Sequence, residues 1–166
     1  MKIELEEYKP EWKQLFSRES EFLQEGIGSF LCGTIEHVGS TAVPGLASKP
    51  IIDIMFGVKD LSSSKDAIQA LSEIQYCYYP YKKEIMHWFC KPSPEFRTHH
   101  LHLVPYESEL WKERIKFRDI LRNNPQVAEN YQQLKKSLAV EFHSDREAYT
   151  NNKWPFIKKV LCNAHY

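Results

Sequence analysis

One acid interrupts an otherwise apolar run: residues Pro50 to Val58 read PIIDIMFGV, with Asp53 in the middle. Such a run suits a central strand buried on both faces, where a carboxylate loses several kcal/mol of hydration unless a cation or hydrogen-bond donors meet it. Two fates are open to Asp53 at this level. It holds a cation, or it is a structural carboxylate bonded to backbone amides or an arginine. Upstream, Gly39, Ser40 and Thr41 follow a short β-branched stretch, Thr34 to Val38. A glycine there lets a phosphate approach the backbone while hydroxyls and successive amides donate to it. The plainer reading of the same residues is a polar turn closed by Pro44-Gly45. The order of strand, GST loop, Lys49 and then an acid on the next strand favours phosphate binding, with Lys49 as a point charge.

Side chains two apart on a strand share a face, so an acid at position 55 would complete a cradle for divalent cations with Asp53. That position is Met55. The run THHLHLV offers compensation: alternation puts His100 and His102 on one face with Val104, and Leu101 and Leu103 on the other with His99. Two imidazoles and Asp53 have the chemistry to hold a transition metal, and the imidazoles alone to donate to phosphate or act as acid and base. A pair of half-exposed strand histidines bonded to neighbours is the ordinary alternative. His37 stands beside the GST loop as a further ligand candidate; His87, His143 and His165 have no supporting context.

The elements that must position these residues follow from periodicity. Trp12, Leu15, Phe16, Phe22 and Leu23 recur at helical spacing after Pro10, with Glu19 as an interruption, and predict a helix ending near Gly26. Ser62, Ser63 and Ser64 offer caps for a helix through Ala67, Ile68, Leu71 and Ile74. YCYYP, EIMHWFCK and THHLHLVP read as neighbouring antiparallel strands. From Glu107 the pattern turns helical, with two good helices and a third interrupted at Pro155. Arg118, Lys135, Lys136, Lys153, Lys158 and Lys159 lie on these helices and read as solvated faces, whereas Trp12, Phe16, Tyr131 and Phe156 read as core.

Composition bounds the function classes. The 166 residues suit one domain with one core, and 42% hydrophobic and 27% charged residues exclude disorder and disulfide scaffolds. Twenty-two basic residues balance 22 acidic ones, so no long-range field draws nucleic acid or anionic lipid, and phosphate chemistry must rest on a local cluster. No base-reading motif is visible. Cys32, Cys77, Cys90 and Cys162 have no metal-ribbon spacing and read as reduced, mostly buried thiols. The charged amino terminus, MKIELEEYKPEWKQLF, has no signal or membrane segment, and the expected location is cytoplasmic.

The run HVGSTAVPGLASKPIIDIMFGV resembles the signature of the GrpB family, small bacterial proteins related to the nucleotidyltransferase superfamily. Tyr8 and Trp12, THHLHLV, FRDILRNNP, NYQQLKKSLA and AYTNNKWPFI extend the resemblance over nearly the whole chain. It implies an α/β (α+β) fold, a nucleotidyltransferase-like small mixed sheet flanked by helices with a helical carboxy-terminal portion. One domain over residues 1–166 is expected, its sheet core at about 27–106 and its carboxy-terminal helices at about 107–166. By the same resemblance Gly39 and Ser40 would hold a triphosphate and Asp53 the first cation, while the superfamily's second acid maps onto Met55. The expected ligand is a nucleoside triphosphate with Mg²⁺ or Mn²⁺, bound by Gly39, Ser40, Thr41, Lys49 and Asp53, with an unknown small-molecule acceptor and His100 or His102 as base. Two other readings stand beside it: a noncatalytic nucleotide-binding module, and a hydrolase with a metal on His37, Asp53, His100 and His102.

Overall fold

The run around Asp53 forms β2 (Ile52–Val58), and its neighbours are set by hydrogen bonding on both sides. In the computed structural model, which describes residues 2–163, five strands lie in the order β1-β2-β5-β4-β3. The others are β1 (Leu31–Val38), β3 (Cys77–Tyr79), β4 (His87–Pro92) and β5 (Arg97–Pro105). β2 pairs antiparallel with β1 and parallel with β5; β5, β4 and β3 form the expected antiparallel meander. β1 starts three residues before the expected Thr34 because a register shift between Leu31 and Ile35 hides its alternation. Gly33 sits in that irregularity at φ 78°, where a Cβ would lie 2.2 Å from the Tyr106 ring.

Helices cover both faces. α1 (Glu11–Ile27) and α2 (Ala67–Glu73) lie with the cluster of Trp12, Leu23, Ile54, Phe56, Leu101 and Leu103. Met55, Val104, Trp88 and Trp111 are packed on the opposite face, Trp111 coming from α3 (Glu109–Asn123). α4 (Pro125–Glu141), α5 (Arg146–Asn151) and α6 (Trp154–Cys162) complete the helical carboxy-terminal portion. Ser108, Asn124 and Asp145 cap α3, α4 and α5 by accepting from the N–H of Trp111, Val127 and Ala148.

Several expectations need correction. The serines do not cap α2: it begins only at Ala67, the Ser64 hydroxyl donates to the Asp60 carbonyl, and the Ser63 N–H donates to the Asp60 carboxylate, so they shape the preceding turn. Pro155 does not interrupt a helix but stands in the first turn of α6, where its missing N–H costs nothing. Of the four free cysteines only Cys90 is buried. His165 lies outside the described residues. Among those residues no helix is long and apolar enough to cross a membrane.

Glu19, the interruption in the first helix, is buried at 9% exposure and ties that helix to the sheet. It accepts from the Tyr76 hydroxyl at 2.8 Å and the Lys91 ammonium at 2.7 Å. Removing it leaves both donors facing a dry interface. Glu19→Ala is expected to lower stability by about 3 kcal/mol, against about 1 kcal/mol for Tyr76→Phe. Urea denaturation of both variants checks this, and equal losses would show that the carboxylate does not hold the pair.

Candidate functional site

The parallel register sets Asp53 opposite His100 and Met55 opposite His102. His100 Nδ1 stands 3.0 Å from Asp53 Oδ1, and His102 Nε2 stands 3.6 Å from the same oxygen, beyond a good hydrogen bond. No described residue donates to Oδ2 of Asp53. That oxygen lies against Gly39, where a Cβ would be only 2.5 Å away. Gly39 also has φ 72°, so two independent constraints require glycine where the chain leaves β1 and crosses the carboxylate. Burial pushes the Asp53 carboxyl up, but the hydrogen bond from His100 and the nearby His100 and His102 imidazoles outweigh it and hold the group well below the usual carboxylate range. Burial, with Arg114 nearby, pushes His102 down to about 4, against the pull of Asp53. His102 is therefore neutral at pH 7.

Cations surround this one acid. Lys49 Nζ and Lys153 Nζ stand 4.9 and 4.6 Å from the centre of the Tyr149 ring. Lys135, only 2% exposed, donates to the Ala47 carbonyl, with its Nζ 5.2 Å from the Tyr131 ring. Tyr131 in turn meets the Ser40 side chain. Burial and mutual repulsion push Lys135 down to about 7; burial and Lys49 push Lys153 down to about 8, against Asp53. Lys49 is lowered by burial, held up by Asp53 and lowered further by Arg146 and Arg97. None of Lys49, Lys135 and Lys153 has a carboxylate partner among the described residues.

Lys135, Lys153 and Arg118 are thus not solvated faces. Arg118 is buried, donating to Glu36 at 2.6 Å, Asp119 at 2.8 Å and the His37 carbonyl at 3.1 Å. Lys158 and Lys159 are exposed as expected, and Lys136 stands 3.9 Å from Glu7. A signal for the buried cations was present. Lys135 continues the stripe of Val127, Tyr131 and Leu138, and Arg114 and Arg118 continue that of Trp111 and Leu121, so each stands where a helix faces the core.

Not every expected residue is free to serve the site at Asp53. Thr41 is buried, its hydroxyl donating to the Ile51 carbonyl at 3.3 Å and lying 3.0 Å from His37 Nε2, so it braces the loop. His37 stacks on Phe16 of α1 at 4.7 Å, because its strand partner Ile54 faces that side. Among the described residues no three His, Cys, Asp or Glu side chains are grouped to hold a metal, so the four-ligand set of the hydrolase reading is not assembled. Met55 has no exposure and is packed in an apolar cluster with Val38, Val104 and Trp111.

The family model described as GrpB protein matches residues 2–163. The chain belongs to the GrpB family. It is 38% identical over 155 residues to the glutamate-rich protein GrpB of Alkalihalophilus pseudofirmus, covering 90% of this chain and 88% of that one. It is 36% identical over 167 residues to a UPF0157 protein of Pseudomonas aeruginosa, covering 98% of this chain and 68% of the other. The crystal structure of GrpB from Enterococcus faecalis superposes with a TM-score of 0.84 at 30% identity, over 96% of this chain and 98% of that one. Family and fold are therefore settled together, and the GrpB signature around Gly39 and Asp53 is the part of this chain where glycine and acid are packed against one another.

Two outcomes are expected. Met55→Asp should cost at least about 3 kcal/mol in urea denaturation, because the new carboxylate enters an apolar cluster; a variant as stable as wild type would show that the cluster opens. Burial, against the pull of Asp53 and with Arg122 and Arg118, pushes His37 down to about 4. Its folded value lies below the unfolded one of about 6.5, so stability is complete above that pH and falls as pH drops toward 4. The loss between pH 7 and pH 5 is about 2 kcal/mol, and His37→Gln should remove that share of the pH dependence; an unchanged slope would mean that His37 is not kept neutral.

Proposed function

We propose that this GrpB-family protein binds a nucleoside triphosphate, with Mg²⁺ or Mn²⁺ at Asp53, and transfers its nucleotidyl group to a small-molecule acceptor. The observation that carries this reading is that Lys49 and Lys153, both held over the Tyr149 ring, lie in electrostatic reach of Asp53, with Lys135, Arg97 and Arg146 in turn in reach of Lys49. In a chain of zero net charge such a group calls for a polyanion. Gly39 and Ser40 lie where phosphates would approach the backbone, and Lys49 and Lys153 would neutralise charge that develops on the leaving pyrophosphate.

The donor set fits a hard cation only in part. Asp53 offers Oδ2, and Mg²⁺ is commonly held by one or two carboxylates with phosphate oxygens and waters supplying the rest. Bound there, the cation would polarise the phosphoryl oxygens. The protein's own part is proton handling: His100, oriented by Asp53 through Nδ1, takes the proton of the acceptor hydroxyl on Nε2. The acceptor oxygen bonds to the α-phosphorus, and the bond to the bridging oxygen breaks, its electron pair leaving with pyrophosphate.

The burial of Met55 favours a second reading, a binding module without transfer. Pyrophosphate released from each nucleotide in the presence of a metabolite extract separates the two. Binding itself is tested by calorimetric titration of nucleoside triphosphates with Mg²⁺ or Mn²⁺ and then EDTA. Wild type is expected to bind at least about tenfold tighter with the cation. Asp53→Asn should keep the fold and lose that factor, whereas Lys49→Met/Lys153→Met should weaken binding with and without cation. Lys135 at about 7 and Lys153 at about 8 are partly neutral at pH 8, so binding there should take up protons. Absence of nucleotide binding sinks the proposal, and identical binding with and without cation sinks the role of Asp53.

A further inference from the structure

Four of the six buried side-chain polar atoms without a hydrogen-bond partner among the described residues belong to three neighbours of Asp53. They are His100 Nε2, both ring nitrogens of His102, and Arg114 Nε. Leaving one buried donor or acceptor unmatched costs about 1–3 kcal/mol, and native folds leave few. Their concentration at one place marks groups that wait for a ligand.

Arg114 is the informative member. It projects from the buried stripe of α3 and makes no hydrogen bond or ion pair with any described residue. Arg118, one turn further on the same helix, reaches two carboxylates and a carbonyl. Arg114 is partly buried, with its Nε shut off from solvent, and a guanidinium stays charged, so it cannot relieve the missing partner by losing a proton. Of the carboxylates in electrostatic reach of it, Glu113 is its chain neighbour and Asp53 is already bonded to His100. Among the described residues no carboxylate forms an ion pair with Arg114.

The place is also distinct from the lysine group. Lys135 and Tyr131 lie beside Ser40, which follows β1 on one side of β2. His102 pairs with Trp88 of β4 on the other side, and the Trp88 ring stands 5.0 Å from His100 and 6.5 Å from Tyr81. Asp53 stands between the two.

We propose that Arg114, with His100 and His102, forms an oxyanion pocket beside Asp53, and that the acceptor substrate is a small molecule carrying a carboxylate or phosphate group that binds there. The oxyanion accepts from the guanidinium, and a hydroxyl on the same ligand donates to an imidazole nitrogen. The substrate class rests on the transfer reading above, whereas the pocket is tested without nucleotide.

The full chain is titrated with inorganic phosphate and, separately, with malonate, following the imaging nuclei of the site itself, the imidazole ¹H–¹⁵N signals of His100 and His102. A saturable shift is expected in wild type with at least one of the two anions, and which of them gives it names the acceptor's acidic group. The shift should persist in Lys49→Met/Lys153→Met and vanish in Arg114→Met. Without anion, Arg114→Met should melt no lower than wild type, since it breaks no hydrogen bond or ion pair and removes a donor without a partner. Arg114→Lys, which keeps charge without the fork geometry, should bind at least about tenfold more weakly and serves if the methionine variant does not fold. Absence of a saturable shift in wild type, its survival in Arg114→Met, or a methionine variant that folds but melts lower would each overturn the pocket. Loss of the shift only in the lysine variant would also overturn it while leaving nucleotide binding intact. An Arg114-dependent shift in a protein that binds no nucleotide would keep the pocket and discard the transfer reading.

Discussion

The parallel pairing of β2 with β5 is the constraint on which the cleft depends. Pairing Asp53 with His100 and Met55 with His102 puts both imidazoles on the carboxylate's side, and the same alternation sends Ile54, Leu101 and Leu103 into the core under α1. A slip of one residue would set Asp53 beside His99 or Leu101 and turn one strand's apolar set to the wrong face. The core and the cleft are therefore specified by one register. Neither can shift without the other.

On that frame the carboxy-terminal helices act as more than a cover. α4 delivers Lys135, the start of α5 delivers Arg146 and the residue before α6 delivers Lys153 to the side where the loop between β1 and β2 brings Gly39 and Lys49. Tyr131 and Tyr149 make this tolerable, because an aromatic face attracts an ammonium group without supplying a carboxylate that would neutralise it. Replacing either tyrosine by an acid would give the lysines a counter-charge. Lys49, Lys135 and Lys153 thus stand over tyrosine rings without a carboxylate partner among the described residues.

Much of this was legible in the residues. The strand around Asp53 was marked by its apolar run, the meander by short alternating segments, and the shared face of His100 and His102 by a period of two. Those features are local, and local patterns survive in a sequence. What was missed depends on distant packing. Lys135 and Arg114 look like surface charges until the helix stripe they occupy meets the sheet, and Thr41 looks like a free hydroxyl until His37 and the Ile51 carbonyl take it. Glu19 read as a fault in a helix because its partners, Tyr76 and Lys91, lie more than fifty residues away. Expecting His37 at the acid failed for a different reason: the alternation that places His37 opposite Ile54 follows only once the pairing of β1 with β2 is known.

On the proposed reading, Met55, where the resemblance to nucleotidyltransferases would put a second acid, and the buried cations form one electrostatic arrangement. A second carboxylate beside Asp53 would add charge that only a second cation could balance, and Met55 in its apolar cluster leaves no room for either. On the proposed reading, the phosphates would instead meet Lys49, Lys135 and Lys153, whose charges are fixed to the chain and need no free metal to be present. Fixed ammonium groups hold a polyanion with less geometric demand than an octahedral cation makes. Lys135 and Lys153, crowded and buried, are pushed down to about 7 and about 8, so each anion that enters would restore protons to them. Affinity is then coupled to proton uptake rather than to a second metal ion, and the single carboxylate remains free to orient an imidazole as well as to hold one cation.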